Sequence, residues 1–340
     1  MPVYKVAIII PTLNEEKFIA SCLESVICQS YPFADMDVMV IDGGSHDRTK
    51  QIVNDYQERY ANIRFLNNEG RIQSIAFNIG VRNSDAPYVV RLDAHAKYDK
   101  DYIRNCLEVF MYSSEKIGCS SDLIGNVGGV WKIRPQNPSL IAKCSAILNQ
   151  SRFGIGGAAF RIGAKAGFVD TVPFGCFPRN VLKNVGGMRE DLPRGEDNEF
   201  NSRIRKAGYK IYLDPRIVCI YYSRDTLKAN MRQMYANGES IGHLFYVDRE
   251  SISFRHIVPL LFVVGIIGGI ILSFVCIPFL YMLLAGMSLY LIFDLIASFY
   301  ASNTYGAKFF LPLFIMFFCV HVSYGWGTLV GFFTGRKLKQ

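Results

Sequence analysis

The sequence predicts an α/β fold, an open Rossmann-like sheet, followed by C-terminal transmembrane helices. Three observations carry this prediction. Short β-branched runs that stop on polar or acidic residues alternate with stretches of helix-spaced apolar residues. Charges recur every few residues up to about Arg255. From 257 to 333, only Asp294 and Lys308 are formally charged, with His321 the other titratable group of note.

Residues 6–10 (Val-Ala-Ile-Ile-Ile), closed by Pro11, read as a buried parallel strand. Over 15–29 the apolar positions Phe18, Ile19, Cys22, Leu23, Val26 and Ile27 follow helical spacing. A second strand is expected at 38–41, ending on Asp42-Gly-Gly, then a helix over 49–60 and a third strand at 63–66. A helix over 72–81 precedes a fourth strand at 88–92, which ends on Asp93. In open α/β sheets ligands sit outside the carboxyl ends of the strands, where Pro11 to Asn14, Asp42 and Asp93 all fall.

Residues 118–170 are rich in Gly and Ser and resist assignment. Within them, Gly154-Ile-Gly-Gly-Ala-Ala159 has the glycines of a phosphate loop but not its Lys-Ser/Thr, and reads as a flexible loop near the site. From 170 to 214 the pattern is strand, helix, acidic loop, helix, strand.

Residues 226–247 place Leu227, Met231, Met234, Tyr235, Ile241, Leu244 and Phe245 near one helical face, as a helix lying in the headgroup plane would. The apolar tail holds enough residues for about three spans of roughly 20 each. These are expected at 257–277, 279–300 and 309–333. Three spans would leave Arg336, Lys337 and Lys339 outside, against the positive-inside rule, so a re-entrant pair broken near His321 to Gly327 is the alternative. The expected domains are therefore 1–225 (α/β), 226–256 (interfacial helix) and 257–340 (transmembrane).

The net charge of +8 gathers at Arg216, Arg224, Lys228, Arg232, Arg249 and Arg255 and again at the C-terminus. That suits anionic lipids and phosphorylated substrates. No basic stripe is interleaved with aromatics, which argues against nucleic acid. Nine cysteines without C-x-x-C spacing point to reduced thiols, and the first apolar run is too short for a signal peptide.

Two acidic constellations carry candidate chemistry. Asp93 and His95, at i and i+2 after a buried strand, can both reach one metal ion or diphosphate; the bland alternative is an Asp that merely caps a helix. Oxygen ligands plus substrate phosphates suit Mg²⁺ or Mn²⁺, and His95 leans toward Mn²⁺. Glu196-Asp197-Asn198-Glu199 places three carboxylates in four residues. They would serve as a general base for an acceptor hydroxyl, or only as a solvated helix start.

Four ordered motifs are similar to those of family 2 inverting glycosyltransferases with the GT-A fold (nucleotide-diphospho-sugar transferases). They are Ile8-Ile-Ile-Pro-Thr-Leu-Asn-Glu-Glu16, Val40-Ile-Asp-Gly-Gly-Ser-His-Asp-Arg-Thr49, Arg91-Leu-Asp-Ala-His95 and Gly187…Glu196-Asp197. The stretches Gly70-Arg-Ile-Gln…Asn78-Ile-Gly80 and Val169-Asp-Thr-Val-Pro-Phe-Gly175 further resemble the succinoglycan-type exopolysaccharide enzymes.

The resemblance implies that Pro11, Thr12 and Glu15 line the nucleoside pocket and that Asp42 holds the uracil or ribose. Arg71 would sit by the base or diphosphate, Asp93 and His95 would handle the metal and diphosphate, and Asp197, supported by Glu196, would be the base. It implies a UDP-sugar donor (UDP-glucose is one candidate), a lipid-linked saccharide acceptor, inversion at the anomeric carbon, and a multi-pass cell-membrane enzyme with its catalytic domain in the cytoplasm. Gln233-Met-Tyr-Ala-Asn237 keeps only the Gln of the Q-x-x-R-W motif of processive members, which points to one sugar per encounter. The alternatives are a polyprenyl-phosphate glycosyltransferase and a non-enzymatic membrane protein that binds nucleotide sugars. Asp197 weighs against the first, because a phosphate acceptor scarcely needs deprotonation.

Overall fold

The computed structural model describes residues 5–339. Its contacts divide the chain into two units: residues 1–132 with 159–221, and residues 133–158 with 222–340. The division returns part of the unassigned Gly-rich region, 133–158, to the C-terminal segment.

The first unit is built on β1 (Val6–Thr12), α1 (Ile19–Ile27), β2 (Met36–Asp42), α2 (Thr49–Arg59), β3 (Ile63–Asn67), α3 (Gln73–Arg82) and β4 (Tyr88–Arg91). After these come β5 (Ala96–Tyr98), α4 (Tyr102–Met111) and α5 (Ser113–Lys116). The strand β6 (Ile124–Pro135) leads out to α6 (Leu140–Gln150) and α7 (Arg152–Ile155) of the second unit. The chain returns through β7 (Gly167–Val169), β8 (Cys176–Pro178), α8 (Arg179–Val185), α9 (Glu196–Lys206) and β9 (Lys210–Ser223).

These strands form one sheet in the order β3-β2-β1-β4-β8-β6-β9-β5, with β7 also on β9. The first four are parallel, with Val6 beside Met36 and Tyr88, and β8 then joins β4 antiparallel. Every residue of β1 is buried, as a central parallel strand covered on both faces requires. Val6, Ile8 and Ile10 pack with Ile19, Leu23 and Val26 of α1. Ala7 and Ile9 face the other way, toward Phe77 of α3 and Phe200 and Ile204 of α9. The period-2 alternation of the strand thus fills two apolar layers.

Gly125, Gly128 and Gly129, within the stretch the sequence left unassigned, belong to β6. A Cβ at Gly129 would overlap the Ile217 carbonyl of β9, so close backbone approach demands glycine there.

The second unit adds α10 (Leu227–Val247), α11 (Phe254–Ser273), α12 (Ile277–Tyr305) and α13 (Phe310–Thr334). The segments Phe254–Ser273, Ile277–Tyr305 and Ala307–Leu338 are long and apolar enough to cross a membrane. Pro278 sits in the first turn of α12, where its missing N–H costs nothing. Because α13 runs unbroken through His321–Gly327, the re-entrant break allowed by the sequence is not found.

The amphipathic stretch expected in the headgroup plane lies along α13, and their contact is a seam of small residues. A Cβ at Gly238 would strike the Tyr324 carbonyl, one at Gly327 the Tyr235 carbonyl, and one at Gly331 the Glu239 carbonyl. Small residues four apart on facing helices let the two backbones touch, as in membrane helix pairs.

Candidate active site

The carboxyl ends of β1, β2 and β4 converge, and Pro11, Thr12, Glu15, Arg71, Asp93 and His95 line one cavity of about 170 Å³ there. Asn68 and Gln73 add polar groups to its wall. The turns that form it hold two non-glycine residues in the left-handed region, Asn14 at φ 57° and Arg71 at φ 63°. Such conformations cost free energy and persist where surrounding contacts impose them, commonly at functional sites. For Asn14 those contacts are visible: its N–H donates to Ser45 Oγ at 2.7 Å, and its Oδ1 accepts from the His46 N–H at 2.9 Å.

Asp42 is placed differently from its expected neighbours. It is buried, its carboxylate accepts from the Ser45 hydroxyl and from the N–H groups of Gly44 and Ser45, and it shapes the turn after β2. It does not line the cavity wall.

Two polar atoms in that wall, Thr12 Oγ1 and Asn68 Oδ1, are buried with no hydrogen-bond partner among the described residues. Leaving such atoms unpaired costs roughly 1–3 kcal/mol each, which a polar ligand would relieve. Asn68 is held for this by its own backbone N–H to the Asp42 carbonyl (2.8 Å) and its side-chain NH₂ to the Ile72 carbonyl (2.9 Å).

Arg91, at the end of β4, joins the two acidic constellations. Its guanidinium donates to Asp197, to Asp93 at 3.0 Å and to Gln73 at 2.7 Å, and lies 3.9 Å from Glu196. Burial opposes its charge, but Asp197, Asp93 and Glu196 outweigh that opposition and hold it protonated. The fork geometry of arginine allows one cation to bridge carboxylates from β4 and α9. Tyr98 fixes the Asp93 backbone from behind, its hydroxyl accepting from the Asp93 N–H (2.6 Å) and donating to the Asp93 carbonyl (3.1 Å).

The expected acidic loop is the first turn of α9. Gly195, at φ 84°, turns the chain into the helix, and Glu196, Asp197 and Glu199 stand at its N-terminus with Arg203, Arg205 and Lys206 in its last turn. Both ends suit the helix dipole. Glu199 is committed to Arg203, whose guanidinium also donates to the carbonyls of Val185 (2.7 Å) and Gly187 (2.9 Å). That leaves Glu196 and Asp197 for chemistry. Burial first, then the neighbouring Asp197, pushes Glu196 up to about 7. Asp197 keeps 43% side-chain exposure. Its pKa is nonetheless raised by the packing around it and by Asp93, with Arg91 opposing.

His95 Nδ1 lies 3.1 Å from Glu15 Oε1. Among the described residues no group of three or more His, Cys, Asp and Glu could enclose a metal ion. The cavity wall presents the carboxylates of Glu15 and Asp93 and the imidazole of His95, donors that fit a divalent cation such as Mg²⁺ or Mn²⁺ completed by diphosphate oxygens and water.

The motifs assign no role to three residues of the site: Arg91, which they include only as the start of Arg91-Leu-Asp-Ala-His95, and Asn68 and Trp131, which they leave out. Arg91 was hidden inside a strand run, although an arginine within a buried β-branched stretch is itself a signal. Trp131 stacks on Tyr221 with ring centroids 4.2 Å apart, and Arg161 lies over its face at 4.5 Å. Tyr221 in turn meets the His95 ring edge-on at 6.2 Å. No local pattern announces that platform.

Residues 7–164 match the family described as Glycosyl transferase family 2. A glycosyltransferase of Methanococcus voltae, the dolichyl N-acetyl-alpha-D-glucosaminyl phosphate 3-beta-D-2,3-diacetamido-2,3-dideoxy-beta-D-glucuronosyltransferase, is 30% identical over 240 residues, covering 70% of this chain and 73% of that one. Succinoglycan biosynthesis protein ExoA of Rhizobium meliloti is 29% identical over 255 residues, 74% of each chain. Among solved structures, the mannosyltransferase PcManGT of Pyrobaculum calidifontis, in complex with GDP-Man and Mn²⁺, superposes with a TM-score of 0.61 at 18% identity. The superposition covers 96% of this chain and 88% of that one.

Fold and sequence relatives together define a glycosyltransferase of the GT-A fold. The chain belongs to glycosyl transferase family 2.

Proposed function

We propose that the protein transfers one sugar per encounter from a UDP-sugar to a lipid-linked saccharide in glycan biosynthesis, with inversion. The single observation that carries this reading is Arg91, which ties the donor cavity through Asp93 to the base candidate Asp197. Glycosyl transfer needs a diphosphate neutralised on one side of the anomeric carbon and a hydroxyl deprotonated on the other, and one cation here organises both carboxylates.

In this reading, Asn68 Oδ1 accepts the imide N–H of the base, and Thr12 and Arg71 hold the ribose and phosphates. Asp93 and His95 hold a divalent cation, which supplies charge neutralisation for the leaving diphosphate. Asp197 takes the proton of the acceptor hydroxyl as that oxygen attacks, and Glu196 sets the local charge. Asp42 contributes through the turn it organises.

The relatives support the acceptor class. The name of the M. voltae enzyme specifies a dolichyl-phosphate-linked saccharide and a β-glycosyl product, and that of the R. meliloti protein a polysaccharide. The Mn²⁺ and GDP-Man of the Pyrobaculum complex support a nucleotide-sugar donor with a divalent cation. Three helices of spanning length support a multi-pass cell-membrane enzyme. A catalytic unit on the cytoplasmic side agrees with the basic residues 224–255 that precede them.

The test is a panel of UDP-sugars assayed with and without Mn²⁺, in water and with prenyl-diphosphate-linked sugar acceptors. At least one donor is expected to be hydrolysed slowly in water and transferred faster to acceptor. Asp197→Asn should lower transfer about 10²- to 10⁴-fold, the usual contribution of a general base, while UDP binding stays within a few fold. Transfer at the normal rate in that variant would remove Asp197 from the mechanism.

A further inference from the structure

Next to the base candidate, Arg91, Asn126, Phe174, Gly175, Asp197 and Asn201 line a small cavity of about 10 Å³, enough for a single water molecule. Two buried polar atoms of these residues, Arg91 Nε and Asn126 Oδ1, have no hydrogen-bond partner among the described residues. Both side chains are buried, and Asn126 stands in the buried half of β6, where an asparagine needs partners to persist.

One partner fixes how the amide is turned. The Asn126 NH₂ donates to Asn201 Oδ1 at 2.8 Å, and the Asn201 NH₂ donates to Thr171 Oγ1 at 2.9 Å. Asn201 follows Asp197 by one turn of α9, on the same face. Turning the Asn126 amide over would set its NH₂ toward the Arg91 Nε–H, two donors with nothing to accept them. The adjoining turn is shaped around the oxygen. Phe174 and Gly175 are left-handed, at φ 61° and 51°, and a Cβ on Gly175 would come 2.6 Å from Asn126 Oδ1. The Gly175 carbonyl also accepts from the Arg91 backbone N–H at 3.1 Å.

The two unpaired atoms select what fits between them. Arg91 Nε–H only donates, and Asn126 Oδ1 only accepts. A cation would be repelled by the guanidinium, and an anion has no hydrogen for the amide oxygen. Water does both. Its second hydrogen is left for Asp197, whose carboxylate lines the same cavity, which makes the three bonds usual for a buried water.

We infer that one water molecule is bound between Arg91 Nε and Asn126 Oδ1, and that through it Asn126 is a positioning residue for the Arg91 fork and Asp197. The outer nitrogens of the guanidinium hold Asp197 on one side and Asp93 and Gln73 on the other. Fixing Nε–H as well sets the plane of the fork, and with it the direction in which Asp197 is presented. Asn126 does not line the donor cavity, so its effect passes through the water. The kinetic part of the inference rests on Asp197 as the proposed base; the water site rests on geometry alone.

The full chain, crystallised from a lipid phase at a resolution that shows ordered water, is expected to give one density peak within hydrogen-bond distance of both atoms. No peak there overturns the proposal. Asn126→Leu keeps the volume and removes the acceptor. It should lower kcat for transfer at least about tenfold while KM for the UDP-sugar stays within about twofold, the pattern of an interaction made in the transition state. Asn126→Asp keeps an oxygen on the cavity, and the Asn201 amide and Thr171 hydroxyl can exchange donor roles, so kcat should return to within about threefold of wild type. An unchanged kcat in folded Asn126→Leu overturns the positioning role, as does a change in KM alone or a loss that Asn126→Asp fails to repair. Should Asn126→Leu not fold, the wild-type density and the Asn126→Asp kinetics decide. Asp197→Asn separates the two readings. Normal transfer in that variant, with the wild-type peak present, removes the base and leaves the water site; slow transfer with no wild-type peak does the reverse.

Discussion

The two units solve the problem of burial in opposite ways. The first keeps charge inside it: Arg91 is only 3% exposed, and it stays stable because three carboxylates and a glutamine side chain surround its guanidinium. The second buries a single charged side chain among its described residues, Asp294, and gains cohesion by bringing helix backbones together through glycine, as at Gly238 and Gly331. In the catalytic unit the informative residues are therefore those that would be costly if unpaired. In the helical unit they are those with no side chain at all.

The sharpest way to break this contrast is Arg91→Met. Removing one partner of a buried ion network costs roughly 3–5 kcal/mol, because the other charges are left behind. Thermal unfolding should show a large loss of stability, and transfer should fall at least about 100-fold. Arg91→Lys should fail to restore transfer, since a single ammonium cannot fork between Asp93 and Asp197. Full activity in the lysine variant would mean that the bridge is incidental.

For the second unit, Gly331→Val should cost about 1–3 kcal/mol or more through overpacking against the Glu239 carbonyl. Gly286→Val, in a spanning-length helix but with open space around its Cβ, should be nearly neutral. Melting both in one detergent compares them directly. Equal melting temperatures would show that the α10–α13 seam does not hold the unit together.

A smaller effect concerns pH. With Asp197 as the proposed base, transfer calls for that carboxylate ionised, so activity should rise with pH along a limb near pH 7 that belongs to the Glu196–Asp197 pair. Glu196→Gln removes a like charge and should move that limb to lower pH. Stability carries the opposite sign. The folded state binds the Glu196 proton more tightly than the unfolded chain, with a pKa of about 7 against 4.5. Its contribution is therefore full below about pH 4.5 and is lost as pH rises through about 7. Glu196→Gln should flatten that decline, and denaturant midpoints across the range measure it.

The smallest expected change is at Asn68. Asn68→Ala removes one hydrogen-bond acceptor worth about 1–1.5 kcal/mol, so UDP affinity should fall roughly tenfold, as calorimetry would report. Unaltered affinity would place the base elsewhere.

Much of the first unit is legible along the chain. Strands β1, β2 and β4 show as β-branched runs, because a strand covered on both faces is apolar along most of its length. Their polar stops mark the cavity, since a sheet delivers its strand ends to one edge. Strand β6 was illegible for the converse reason: its glycines answer to the β9 backbone, a partner about 90 residues away in sequence, and locally they look like a loop. The acidic run 196–199 was visible, but its division of labour was not. Only the position of Arg203 in the next turn and of Arg91 on another strand separates Glu199 from Asp197.

The sequence by itself determined the alternating α/β order, the apolar tail and the residue types available for diphosphate and base chemistry. Those properties follow from local periodicity and composition, which every residue carries with it. Tertiary structure alone decided that Arg91 joins the two acidic motifs, that Asn68 lines the cavity at the strand ends while Asp42 shapes the turn beside it, and that the glycines of 154–157 wall a cavity among apolar helices. Each of these is a meeting of segments far apart in the chain, and such meetings are set by packing.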